Sequence, residues 1–258
     1  MQKKSNKRAI KEISTTVNAK NNVMIQLNNQ LGYEAQYLKM VKKINFSGNH
    51  DNQAEFYDAK VNIDALNQFD YIREKYFEIH DEVLKSAELR LNEEVLDIGI
   101  GTALLEEKID QNLKIYGIDI SSEMIRKAKE KELNIELKKG SFTNIPYEAS
   151  RFDKIISCFA FHHLSDSEKI EAIYEMSRVL KKSGKIIIAD FMCFDELQRL
   201  DLIEKFKEEN RMDMIEEMDD ENFTHIEKFL KEIEPIGFKS EFRQLSTISW
   251  ILSLFKEL

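Results

Sequence analysis

Proline and glycine are scarce in this chain, 2 and 8 of its 258 residues, against average shares of about 5% and 7%. The shortage excludes collagen-like and proline/glycine-rich disordered classes, and it makes each retained glycine a marker of a backbone position that needs one. Cys158 and Cys193, the two cysteines, can build neither a disulfide framework nor a four-cysteine zinc site, which fits a reducing, cytoplasmic setting. No run approaches 18 apolar residues, so no membrane-spanning helix is predicted. The basic start leads into Ile10-Lys11-Glu12-Ile13-Ser14-Thr15 and not into the apolar core of a leader. No metal-ligating constellation is visible along the chain.

What is present suits a folded, solvated protein. With 42% hydrophobic and 33% charged residues over 258 positions, the chain can cover one large α/β core and carry an appendage. The net charge is −9, yet Lys3, Lys4, Lys7, Arg8, Lys11 and Lys20 against Glu12 alone give the first twenty residues +5 and leave −14 for the rest. A body so acidic is a poor nucleic-acid binder, and only the basic arm could recruit RNA or an acidic partner.

Residues 1–50 are polar and Asn-rich, with Val23, Ile25, Leu27, Leu31, Tyr37, Leu38, Val41 and Ile44 spaced for amphipathic helix, and Phe46 to Asn52 reads as a linker. The predicted division is a helical N-terminal extension over 1–50 and one domain over 51–258. Apolar residues at three- and four-residue steps from Leu66 predict a helix to about Leu91. Short apolar runs then alternate with helical patterns. Strands are predicted at Glu94 to Ile98, Lys114 to Ile118, Ile135 to Lys138, Lys154 to Cys158 and Lys185 to Phe191, and helices at Ala103 to Ile109, Glu123 to Lys131 and Ser167 to Leu180. This alternation predicts a doubly wound, mostly parallel sheet covered by helices on both faces. Residues 195–233 read as a helical insert with an acidic solvent face over 216–221, and 238–256 as a final pair of strands, antiparallel to each other.

Val95-Leu96-Asp97-Ile98-Gly99-Ile100-Gly101-Thr102-Ala103 is a strand running into a glycine turn, where the backbone can approach a ligand and present free N–H groups. Asp119 follows at the end of the second strand, placed to accept ribose hydroxyls. The dinucleotide pattern would need a glycine where Leu104 stands, and Asp97 is better suited to an amino-acid ammonium than to pyrophosphate.

The turn resembles the first motif of class I S-adenosylmethionine-dependent methyltransferases, with Ala103 in place of the last glycine. Further residues resemble small-molecule, quinone-biosynthesis-type members of that family. They are Tyr116 to Met124, the stretches Gly140-Ser141-Phe142 and Ile145-Pro146-Tyr147, Phe152-Asp153, Phe161-His162-His163-Leu164, Val179 to Lys185 and, upstream, Phe56-Tyr57-Asp58. The resemblance implies a Rossmann-like, seven-stranded sheet with an antiparallel last strand. It also implies S-adenosylmethionine held by Tyr57, Asp97, Gly99, Gly101, Asp119, Ile120, Met124, Ser141, Phe142 and Cys158, with Gly117 and Gly140 bordering it too. Ser141 replaces the usual aspartate toward the adenine amino group.

In-line methyl transfer gains chiefly from alignment, and a base is needed only when the acceptor must lose a proton. His162 is the candidate base, with Asp195 the other. The expected acceptor is a small molecule, covered by the insert and the N-terminal helices. An RNA or protein methyltransferase using the basic arm, and a non-catalytic S-adenosylmethionine sensor, remain the competing readings, and oligomeric state is left open.

Overall fold

In the computed structural model of the chain, residue 54 and residues 57–65 and 70–256 are described. The chain divides into two compact units, Met1–Glu74 and Lys75–Leu258. The predicted extension over 1–50 and its linker lie outside the described residues. In the first unit, helix α1 spans Tyr57–Asp64.

The second unit carries the sheet. Its strands are β1 (Glu94–Ile98), β2 (Lys114–Asp119), β3 (Ile135–Lys139), β4 (Phe152–Cys158), β5 (Leu180–Cys193), β6 (Thr224–His225), β7 (Lys239–Gln244) and β8 (Ser249–Phe255). Seven of them run in the order β3-β2-β1-β4-β5-β8-β7, and the two-residue β6 pairs with β5 off this path. The pairs among β1 to β5 are parallel, whereas β8 is antiparallel to both β5 and β7. The expected architecture is thus present. Its central strands are continuous apolar runs because both faces are covered: Leu96, Ile155, Ile156, Ile186, Ile187 and Ile188 are all fully buried.

The helices are α2 (Tyr76–Ala87), α3 (Ser122–Glu130), α4 (Asp166–Val179), α5 (Glu196–Glu208), α6 (Met212–Asp220) and α7 (Ile226–Ile233). Local chemistry sets several of their starts. Ser165 and Glu168 form a reciprocal capping box on α4, and Ser121 accepts from the Met124 N–H on α3. Two expectations need correction. Of the helix predicted from Leu66, residues 66–69 lie outside the described residues, and over the described part it begins at Tyr76, because Lys75 stands in the left-handed region at φ 56°. The stretch Ala103 to Ile109 holds only a 3-10 turn at Glu106–Lys108, since Ala103 itself is left-handed at φ 63°. Among the described residues no helix is long and apolar enough to cross a membrane, and neither cysteine is in a disulfide.

Candidate active site

The chain leaves β1 toward β2 and β3 on one side, then returns to place β4 on the other. A topological switch of this kind opens a crevice at the carboxyl ends of β1 and β4. The glycine turn lies there. The Gly99 and Ile100 N–H groups both donate to the Ile118 carbonyl, at 2.8 and 3.1 Å, which ties the turn to β2. Gly99 (φ +78°) is packed so closely that a Cβ there would stand 2.3 Å from the Ala160 Cβ, whereas a Cβ on Gly101 (φ +56°) would meet nothing within 4 Å. One side of the turn is therefore closed by protein and the other is open to a ligand.

Asp119 ends β2 with Oδ2 accepting the Gly101 N–H at 2.9 Å and Oδ1 accepting the Ser121 N–H at 2.8 Å. Beside it Ile120 is 63% exposed, an apolar side chain at the rim. Phe142 is buried with its ring 5.6 Å from Phe161, and Ser141 pairs its backbone with Asn144. Cys158 closes β4, partly buried. Asp97, Gly99, Gly101, Asp119, Ile120, Ser141, Phe142 and Cys158 thus stand at the ends of four neighbouring strands. Met124 is buried within α3, and Tyr57 belongs to α1 of the other unit. Gly117 and Gly140 are packing positions: a Cβ would meet Ile100 Cδ1 at 2.3 Å and Pro146 Cδ at 2.8 Å, respectively.

Asp97 and Glu106 form a pair of carboxyls beneath this turn. Both are buried, and Asp97 Oδ1 and both Glu106 oxygens have no hydrogen-bond donor. Burial, followed by the neighbouring Glu106 carboxyl, raises Asp97 well above the ordinary carboxylate range, and burial raises Glu106 as well. The lowest-energy arrangement for two such groups is one proton held between them, or a cation brought against Asp97.

On the β4 and β5 side, Asp190 organises the loop that carries the two histidines. It is fully buried in β5, and its Oδ2 accepts the Ala160, Phe161 and His162 N–H groups at 3.0, 2.6 and 3.2 Å. Its Oδ1 accepts the Phe191 N–H at 2.7 Å and lies 2.6 Å from His162 Nδ1. Burial pushes Asp190 up, but His162 and these N–H donors outweigh it and hold the carboxyl below its ordinary value. An ionised Asp190 accepts a hydrogen bond from Nδ1–H of His162, which leaves Nε2 as the ring nitrogen turned toward Glu221. Glu221 Oε2 lies 3.4 Å from that Nε2 and 3.4 Å from His163 Nδ1. Lys169, buried on α4, donates to the Asn222 carbonyl and so fixes the Glu221–Asn222 turn over the histidines. The expected solvent face over 216–221 is corrected at Glu221, which turns inward. Asp195 is likewise corrected: its carboxylate accepts the Gln198 N–H at 2.9 Å as the N-cap of α5.

A methyltransferase-domain model matches residues 95–184, from β1 to the start of β5. The chain is 30% identical, over 82% of its length and 98% of the relative's, to an uncharacterized methyltransferase of Geobacillus sp. (strain WCH70). This chain belongs to the methyltransferases. A second methyltransferase relative, from Anoxybacillus flavithermus (strain DSM 21510 / WK1), is 31% identical over 80% of this chain and 96% of its own. The methyltransferase also shares its fold with a SAM-dependent methyltransferase from Aquifex aeolicus, at TM-score 0.53 and 23% identity over 70% of this chain and 92% of that one.

Three residues that shape the candidate site escape a reading of the sequence. Asp190 interrupts the apolar run from Ile186 to Cys193, where an isolated acid was the available signal. Glu106 looks like a helix-surface residue until the helix proves absent. Glu221 is 58 positions from His163 and is brought there only by the insert.

Proposed function

We propose that this methyltransferase moves a methyl group from S-adenosylmethionine to a small-molecule acceptor by in-line displacement. The observation that carries the acceptor class is the cover over His162, which is 5% exposed. The insert lays Glu221 against it, and Phe223 stacks on Phe191 at 5.5 Å, while the His162 ring lies against Phe191. So enclosed a base suits an acceptor small enough to be surrounded at its reacting atom, and the strongly acidic body opposes RNA.

The residues fit the methyl donor. Asp97 offers a buried acceptor without a donor, suited to the amino-acid ammonium. Asp119 is placed for the ribose hydroxyls, Ile120 and Phe142 for the adenine faces, and the open side of Gly101 for close backbone approach. Gly99, Ser141, Met124 and Cys158 complete the cofactor assignment, and Tyr57 joins it on the strength of its sequence motif. When bound, S-adenosylmethionine supplies an electrophilic methyl on a sulfonium, so the protein's contribution is chiefly alignment. His162 is the catalytic base: Asp190 orients it, Nε2 takes the acceptor's proton, and the resulting imidazolium lies between the Asp190 and Glu221 carboxylates.

The test is transfer of labelled methyl from S-adenosylmethionine into fractionated cell extract, with label expected in the small-molecule fraction. Label in RNA or protein overturns the acceptor class. With a protic acceptor in hand, His162→Ala is expected to lower kcat by about 10²–10⁴-fold while leaving S-adenosylmethionine affinity intact. Asp119→Ala is expected to weaken that affinity, and unchanged binding by calorimetry defeats the cofactor assignment.

A further inference from the structure

The side chains of His162, His163 and Glu221 bring three ligand atoms within 4.8 Å of one another. Glu221 Oε2 stands 3.4 Å from both His162 Nε2 and His163 Nδ1. That spacing has a meaning in coordination chemistry. Two N or O atoms bound at about 2.1 Å in a tetrahedron stand about 3.4 Å apart. His162 also has the partner that metal-bound histidines require, since its Nδ1 is held by Asp190 Oδ1 at 2.6 Å, leaving Nε2 aimed at the cluster. The geometry is built from three separate elements, the loop after β4, the strand β5 and the insert turn that Lys169 fastens.

We infer that His162 Nε2, His163 Nδ1 and Glu221 form a site for a borderline divalent cation of the zinc or cobalt type, with Asp190 as the outer-shell partner and one coordination position left open. Two imidazoles and one carboxylate favour such an ion over magnesium or calcium, which prefer all-oxygen sites. The inference goes beyond methyl transfer but meets it at one atom. A metal ion and a proton cannot share the Nε2 lone pair, so occupancy removes His162 from proton transfer and suppresses methylation of protic acceptors. The site is therefore an inhibitory or gating one with respect to the reaction proposed above, on whose assignment of His162 this consequence rests.

The experiment uses the full chain, freed of metal with a chelator and titrated with Co²⁺. One equivalent is expected to bind with the visible d–d absorption of a four-coordinate ion, and Zn²⁺ is expected to displace it. His163→Ala and Glu221→Gln should each weaken binding by at least the tenfold that loss of a mere outer-shell partner costs, with S-adenosylmethionine binding by calorimetry confirming that both variants are folded. Absence of a bound equivalent in the parent, or an equivalent that survives both substitutions unchanged, overturns the site. The two readings fail separately. A metal-free enzyme that turns over but binds no Co²⁺ defeats the metal site alone, and a chain that binds Co²⁺ at these residues but methylates no small molecule defeats the acceptor reading alone.

Discussion

Asp97 and Glu106 set a conflict between stability and ligand binding at the level of single side chains. Both are buried, Asp97 Oδ1 and both Glu106 oxygens meet no donor, and each has its carboxyl raised from the ordinary values of 3.8 and 4.5. A raised carboxyl holds its proton in the folded chain at a pH where the unfolded chain has released it. Stability from this pair is therefore fully present below the ordinary values and is lost as pH rises through the raised ones. Glu106→Gln removes one of the competing charges and supplies an amide donor to Asp97. It is expected to stabilise the chain at neutral pH by about 1–3 kcal/mol and to lift Tm by several degrees. The fall of Tm between acid and neutral pH should also be shallower than in the parent, as calorimetry at matched ionic strength would show; an equal or lower Tm at neutral pH defeats the reading. Asp97 was legible in the sequence because it precedes a glycine turn. Glu106 was not, because its burial depends on a backbone that refuses the helix its neighbours favour.

That refusal belongs to the glycine turn as an element. The turn after β1 was legible from Gly99 and Gly101, but the helix expected to follow from Ala103 was lost to a left-handed residue at Ala103. An apolar pattern with helical spacing cannot report a φ. The two glycines themselves answer to different forces, and substitution separates them. Gly99→Ala meets both the left-handed penalty of about 1–2 kcal/mol and overpacking against Ala160, about 1–3 kcal/mol. Its Tm should fall by roughly 5–15 °C. Gly101→Ala bears only the left-handed penalty, because its methyl enters open space. It should lose a few degrees at most and instead weaken S-adenosylmethionine, read by calorimetry. The reverse ranking in Tm defeats this assignment of roles. Ala103→Gly is a useful companion: relief of about 1–2 kcal/mol of left-handed strain is offset by loss of a buried methyl worth about 0.8 kcal/mol, so near-neutral stability is expected.

The mostly parallel, helix-covered sheet was legible because it rests on alternation, and alternation survives without side-chain detail: five apolar runs with helices between them permit few right-handed, unknotted arrangements. The boundary of the sheet-bearing unit was less so. Composition places it near residue 51, where the polar stretch ends, while contacts place it at Lys75. The difference has a thermodynamic consequence. The main core cluster, from Leu96 through Phe152 and Ile186 to Leu254, lies wholly after Lys75, and a unit with its own core can fold alone. A chain beginning at Lys75 is therefore expected to unfold in one cooperative transition, with Tm within about 5 °C of the full-length protein, a shift worth only about 1–2 kcal/mol at this size. A boundary at residue 51 predicts otherwise, because removing residues 51–74 would then strip apolar cover from the core and cost several kcal/mol. Circular dichroism melts of the two chains decide between them. Calorimetry on the same pair, with a full-length Tyr57→Ala variant beside it, tests Tyr57: if its motif reading is right, that variant and the chain from Lys75 both bind S-adenosylmethionine more weakly, and an affinity equal to the parent's in the variant removes Tyr57 from the site.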